Sequence, residues 1–177
     1  MEFDKTAGGI LLPTHKLLMG GKYQGQIIRD GKVIDEFEDS NIVVNEGLNA
    51  LLDIMFHGST QITTWYLGIF EANYTPVATV TAATIASAAT ESTAYTSSTR
   101  PAYDEAAASS QSTTNSASRA SFVFNATKTI YGAFLVSNST KSGTSGTLFS
   151  AAQFSSSKAV VSGDELLLTY TFTASSV

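Results

Sequence analysis

From residue 120 to the C-terminus the chain is a succession of short apolar runs, broken at close intervals by glycine, serine, asparagine and aspartate. ASFVFNA places Phe122 and Phe124 on one face, and TIYGAFLVSN follows after a short turn. TLFSAAQF, a short strand within SSSKAVVSGDE and LLLTYTFTA complete the series, with the flexible TKSGTSG stretch before TLFSAAQF and a turn centred on Gly163-Asp164 before the last run. In the last run Leu166, Leu168, Tyr170 and Phe172 alternate with Leu167, Thr169, Thr171 and Thr173. Alternation with a period of two puts one set of side chains on each face of a strand. About five such strands at short spacing indicate an all-β sandwich, with the jelly roll as the expected type.

The first half supplies more strands and one helix. KYQGQIIRDGKVIDEFEDSNIVV, residues 22 to 44, reads as a hairpin. Its Asp30-Gly31 pair suits the two-residue turn that matches strand twist. Asp35, Glu36, Glu38 and Asp39 on the return strand are expected to form a solvated acidic edge that discourages strand-to-strand aggregation. ITTWYLGIFE has apolar residues on both parities, as a central strand does, and Gly68 within it marks a bulge or a close approach.

Between these lies the helix expected at about residues 46 to 56. Asn45 is a suitable N-cap, Glu46 suits the positive end of the helix dipole, and Gly58 suits the C-terminal cap. Leu48, Leu51, Leu52, Met55 and Phe56 form an apolar stripe, expected to lie against the sandwich.

Residues 1 to 21 read as an extended N-terminal arm. Its apolar residues Ile10, Leu11, Leu12, Leu17, Leu18 and Met19 are bracketed by the glycine pairs Gly8-Gly9 and Gly20-Gly21, with Pro13 preventing a continuous helix. Residues 22 to 177 then form a single domain. Within it a Ser/Thr/Ala-rich segment, about 72 to 121, reads as a long loop with one or two short strands, near Val77 to Ile85 and around Tyr95. Asp104 and Glu105 are the expected ion-pair partners of Arg100.

Composition narrows the function. Only 14% of residues are charged and the net charge is −5, with no Lys/Arg cluster, so nucleic acid is not an expected partner. Cysteine is absent, which excludes disulfides, thiolate metal sites and cysteine nucleophiles. No stretch is long and apolar enough to be expected to cross a membrane as a helix, and the acidic start MEFDKTAGG does not read as a secretory signal. The two histidines, His15 and His57, stand in no metal-ligand spacing, and no nucleophile elbow, phosphate-binding loop or dinucleotide fingerprint occurs. Glu71, Asp104, Glu105, Asp164 and Glu165 supply carboxylates but no pairing pattern. The expectation is a protein without catalysis, cofactor or metal.

Taken in order, NIVVNEGLNALLDIMFHG, WYLGIF, TESTAYTSSTRPAYD, TIYGAFLVSN, SGTLFSAAQF and VVSGDELLLTYTFT resemble small virion proteins of tailed bacteriophages that carry a β-sandwich domain. The resemblance covers residues 41 to 174 and is a pattern of segments: helix, glycine-hydrophobic strand, linker with an arginine (here Arg100), then the closing strands. It implies a structural virion protein, foremost a capsid decoration (cement) protein bound to the major capsid protein or other virion proteins, with self-association. A tail or tail-fibre component is the alternative. A receptor- or glycan-binding module using exposed tyrosines is a third. The residues expected to meet partners are Phe3, Ile10, Leu11, Leu12, Leu17, Leu18, Tyr95, Arg100 and Tyr103.

Overall fold

The computed structural model describes residues 3–5, 11–13 and 17–176, and Ile10 lies outside them. Two antiparallel sheets pack face to face as an all-β sandwich. Near the N-terminus, β1 (Phe3–Lys5) pairs with β2 (Leu11–Pro13). The first sheet of the sandwich has the order β5-β11-β10-β6-β7, from Ile42–Val43, Leu148–Val160, Lys128–Val136, Trp65–Phe70 and Ala102–Tyr103. The second has the order β4-β3-β12-β8, from Lys32–Ser40, Leu17–Arg29, Glu165–Ser176 and Ser112–Thr114. Strand β9 (Ala120–Val123) also pairs with β12, further along the edge that β8 occupies.

The inward faces of both sheets supply the main core. Tyr23, Ile27, Leu166, Leu168 and Tyr170 from one sheet meet Leu67, Ile69, Ala133, Leu135 and Phe154 from the other. The turn between β3 and β4 forms as the sequence requires: Asp30 and Gly31 both adopt positive φ, 50° and 73°.

Strands β6 and β10 are buried on their other face as well. A second cluster, including Phe70, Phe134, Val136 and Ala151, is covered by Val80, Ala82, Ile85 and Ala89. These covering residues belong to the segment expected to be a loop with a strand near Val77 to Ile85. That expectation is corrected: the segment carries a second helix, α2 (Ala82–Ala88), opened by a capping box between Thr81 and Thr84. Small alanines let this short helix lie close against the sheet. The glycines of β6 and β10 serve the same layer. Gly68 pairs with Phe134 and Gly132 with Phe70, and each phenyl ring lies where a Cβ on its opposite glycine would be.

The boundary of the arm also moves. Residues 17 to 21 are the start of β3, paired in continuous register with β12 from Leu17↔Ser176 to Gly21↔Phe172. Gly21 has a packing role in that strand, since a Cβ there would overlap the Thr171 carbonyl. Strand β4 covers β3 only from Lys22 to Arg29, so Leu17–Gly21 with its β12 partners extends past the end of β4 as a ribbon.

The acidic strand β4 is an edge strand, as expected, but two of its carboxylates reach the other sheet. Asp39 is buried and accepts from the Ser155 amide at 2.7 Å, and Asp35 meets the Lys158 ammonium at 3.0 Å. At the other end, Asp164 fixes the β11–β12 turn. Its carboxylate accepts from Arg29 Nε at 2.8 Å, from Arg29 Nη2 at 2.7 Å and from the Val161 amide at 2.8 Å. Arg29 first, and the Val161 bond after it, hold this carboxyl below its usual range against the opposing effect of burial.

A depressed folded-state value stabilises the fold above the unfolded carboxyl pKa of about 4, and that contribution is lost as pH falls through the folded value. Asp164→Asn is therefore expected to lower the neutral-pH melting temperature and flatten the acid limb of the stability profile. An unchanged acid limb in a pH series of thermal melts would contradict this role. Arg29 is 40% exposed, so solvent screening keeps the effect modest.

Candidate functional site

Helix α1 (Asn45–Phe56) lies across one end of the sandwich. Its orientation is fixed by Gly47, which rests on the backbone of Phe149 so closely that a Cβ would collide with it. Val44 is the N-cap residue and Asn45 makes no side-chain cap; its amide donates to the Ala78 carbonyl at 2.8 Å. The Glu46 carboxylate accepts from the amides of Ala82, at 2.8 Å, and Leu148, at 2.7 Å. One side chain thus ties α1 to the start of α2 and to β11. Gly58 ends the helix in the left-handed region expected of it, at φ 73°.

The close approach at Gly47 turns the helix by about one residue, or about 100°, from the orientation the leucine stripe suggested. Gly47, Ala50, Leu51 and Ile54 face the sandwich, while Leu52, Met55 and Phe56 are 50%, 66% and 81% exposed. The expectation that the whole stripe packs inward is therefore corrected. An apolar helix face is left in solvent.

Beneath α1 the sheets leave an apolar cleft of about 300 Å³. The helix forms one wall, and Trp65, Leu135, Phe149, Tyr170 and Phe172 form the others. Glu105 is the one charged residue among those lining it. Tyr103 also lines it; burial pushes this phenol up to about 12, with the nearby Thr113 side chain acting in the opposite sense.

The residues expected to meet partners separate into two groups. Leu17 and Leu18 are 63% and 53% exposed on the ribbon of β3 and β12, at the same end as α1. Phe3 lies in β1, and Leu11 and Leu12 lie in β2. Tyr95, Tyr103 and Arg100 are not surface residues, at 2%, 5% and 1% exposure, so an interface or sugar platform built on them is corrected. Burial, then the nearby Glu91 carboxylate, raises the Tyr95 hydroxyl well above the usual phenol range.

Arg100 is the centre of a buried network whose acid is Glu91, not Asp104 or Glu105. Its Nε donates to Glu91 Oε1 at 2.8 Å and its Nη2 to Oε2 at 2.6 Å. The guanidinium also donates to the carbonyls of Asn138, at 2.8 Å, and Gly143, at 3.2 Å, while the Ser142 amide donates to Glu91 at 2.9 Å. Lys141 adds a bond to the Tyr95 carbonyl at 2.9 Å. The network pins the segment from Glu91 to Arg100 onto the loop between β10 and β11. Its role is to hold the covering layer in place.

The other carboxylates are engaged locally as well: Glu71 with Lys128 at 2.9 Å and Glu165 with Ser121 at 2.6 Å. No group of three or more His, Cys, Asp or Glu side chains placed to hold a metal ion occurs among the described residues. What this end of the molecule presents is exposed apolar surface. Compared with models of known protein families and with curated proteins, the chain matches none of either.

Proposed function

We propose that the chain is a structural subunit of a tailed-phage virion, and within that reading a capsid decoration protein with a sandwich of jelly-roll type. The observation that carries it is a group of large, strongly exposed apolar side chains at one end: Leu17 and Leu18 on the ribbon, and Leu52, Met55 and Phe56 on α1, at 50–81%, whereas Val33, Ile34, Val123 and Val161, away from this end, are 37–49% exposed. Large apolar side chains grouped in this way mark a protein-contact surface. The weakly charged, Ser/Thr/Ala-rich surface elsewhere suits close packing in an assembly, and weak contacts repeated over a lattice add up to firm attachment. The order of the segments supports the phage assignment.

The N-terminal residues are the second part of the contact. Because β3 begins at Leu17, the truncation that separates arm from fold removes residues 2 to 16. The truncated chain is expected to keep its far-UV spectrum and melting temperature while its apparent affinity for capsids falls at least tenfold, or about 1.4 kcal/mol. Wild-type occupancy by the truncated chain would remove the arm from the contact.

A further inference from the structure

We propose that the chain self-associates through the open edge of β3, with Leu17 to Met19 of one copy adding as an antiparallel strand to the same residues of a second copy. The pairing is between copies and stands whichever larger assembly holds them. The backbone sets the edge. The Asn41 amide donates to the Gly21 carbonyl at 3.1 Å, so Gly21 turns its polar groups toward the β4 side of β3. Backbone groups alternate sides along a strand, so Met19 and Leu17 turn theirs the same way, while Leu18 and Gly20 face β12. Strand β4 ends with Ser40 opposite Lys22, and no described strand pairs with this side of β3 from Leu17 to Gly20. The amides and carbonyls of Leu17 and Met19 thus form an open edge, which is a template for another strand.

Charge, register and space select a second copy as the occupant. The open edge carries no charge, proline or bulge, whereas the β4 edge is guarded by Lys32, Glu36 and Glu38. An uncharged, apolar strand suits it, and its own sequence is one. With Leu18 opposite Leu18 of the second copy, the outward amide and carbonyl of Leu17 bond to those of Met19 in the second copy, and those of Met19 bond to Leu17. The two Leu18 residues then form a non-hydrogen-bonded pair, with Cα atoms about 4.5 Å apart and side chains in contact. Leu17 and Leu18, 63% and 53% exposed in the single chain, lose water together. The space matches as well. Asn41 closes the edge at Gly21 and β3 begins at Leu17, so the incoming strand ends opposite Met19, short of Asn41. Because the paired strands are antiparallel, the two sandwiches stand at opposite ends of the shared ribbon and do not collide.

The chain has no cysteine, so a single introduced thiol reports the contact cleanly. A Cα separation of about 4.5 Å lies within disulfide range, so Leu18→Cys sets its thiol opposite that of the second copy. Val33→Cys, 49% exposed on the guarded β4 edge, measures random collision. Under mild oxidation, full-length L18C is expected to form a disulfide-linked homodimer about tenfold faster than V33C, because thiols held together react at a raised effective concentration. Equal rates would overturn the proposal. Proline separates strand pairing from mere apolar contact. Met19→Pro deletes an amide that turns away from β12, a position at which an edge strand tolerates proline. The double variant L18C/M19P should keep its far-UV spectrum and cross-link only at the V33C rate. Leu17→Pro deletes the other outward amide at the first residue of the strand, and L18C/L17P should slow in the same way. Cross-linking at the full L18C rate in either folded double variant would show that the copies do not meet through these strands. The experiment needs no capsid, so its failure is distinct from failure of the virion assignment.

Discussion

Replacing Glu91 with alanine is expected to destabilise the protein by about 3–5 kcal/mol, because it leaves the Arg100 guanidinium buried without its counter-charge. The two side chains are 1% and 0% exposed, so water cannot take the place of the carboxylate. The lost group also accepts the Ser142 amide, so the loop between β10 and β11 loses an anchor at the same time. A single domain has roughly 5–15 kcal/mol to lose, so the variant should unfold at much lower urea concentration or fail to accumulate. Trp65, the sole tryptophan, provides the fluorescence signal. The effect should persist at high salt, because buried charges are weakly screened. Replacing both partners, as Glu91→Leu with Arg100→Met, should cost less than Glu91→Ala alone, since no orphaned charge remains. A loss below about 1 kcal/mol for Glu91→Ala would contradict the buried network.

Phe134→Ala should cost a similar amount, about 3–5 kcal/mol, through the cavity it opens. The ring is fully buried, lies over Gly68 on the neighbouring strand, and has the Arg100 guanidinium 5.2 Å from its centroid. The removed ring therefore disturbs the sheet and the ion-pair network together. A paired experiment separates this packing from general core loss. Gly68→Ala in the wild type forces its Cβ into the phenyl ring and should cost about 1–3 kcal/mol by overpacking. In the Phe134→Ala background that clash is gone, and the same change should be near neutral or stabilising. Additive losses in urea titrations of the four proteins would show that ring and glycine do not share the space.

Most strands were legible because period-two alternation survives many tertiary contexts, but the separate short strand expected in SSSKAVVSGDE is the second half of β11 and the one expected near Val77 to Ile85 is replaced by α2. The Asp30-Gly31 turn and the Gly58 cap were legible because each needs a backbone conformation that few residues adopt. The orientation of α1 was not, because Gly47 has no side chain to register in a hydrophobic pattern, yet its contact with Phe149 decides which face turns inward. The covering layer was hidden for a related reason. Its helix is built from alanines and opened by two threonines, a composition that also describes loops. Tyr95, Arg100 and Tyr103 stand among polar neighbours in the sequence, and their burial comes from that layer wrapping the sheet. Nothing local links Arg100 to Glu91, nine residues earlier across an irregular stretch. Of the exposed apolar surface, Leu17 and Leu18 were legible as apolar residues close to a glycine pair, whereas the exposure of Met55 and Phe56 required the helix orientation to be known.

The most direct test of a structural role in a virion is to mix the purified full-length chain with undecorated capsids assembled from the major capsid protein of the same genome. Sedimentation then separates bound from free chain, and image reconstruction locates the bound fraction. Attachment at many symmetry-related lattice positions, with α1 and the Leu17–Leu18 ribbon turned toward the shell or a neighbouring copy, is the result expected. Chain that stays in the supernatant, or density confined to a single vertex, would contradict capsid decoration.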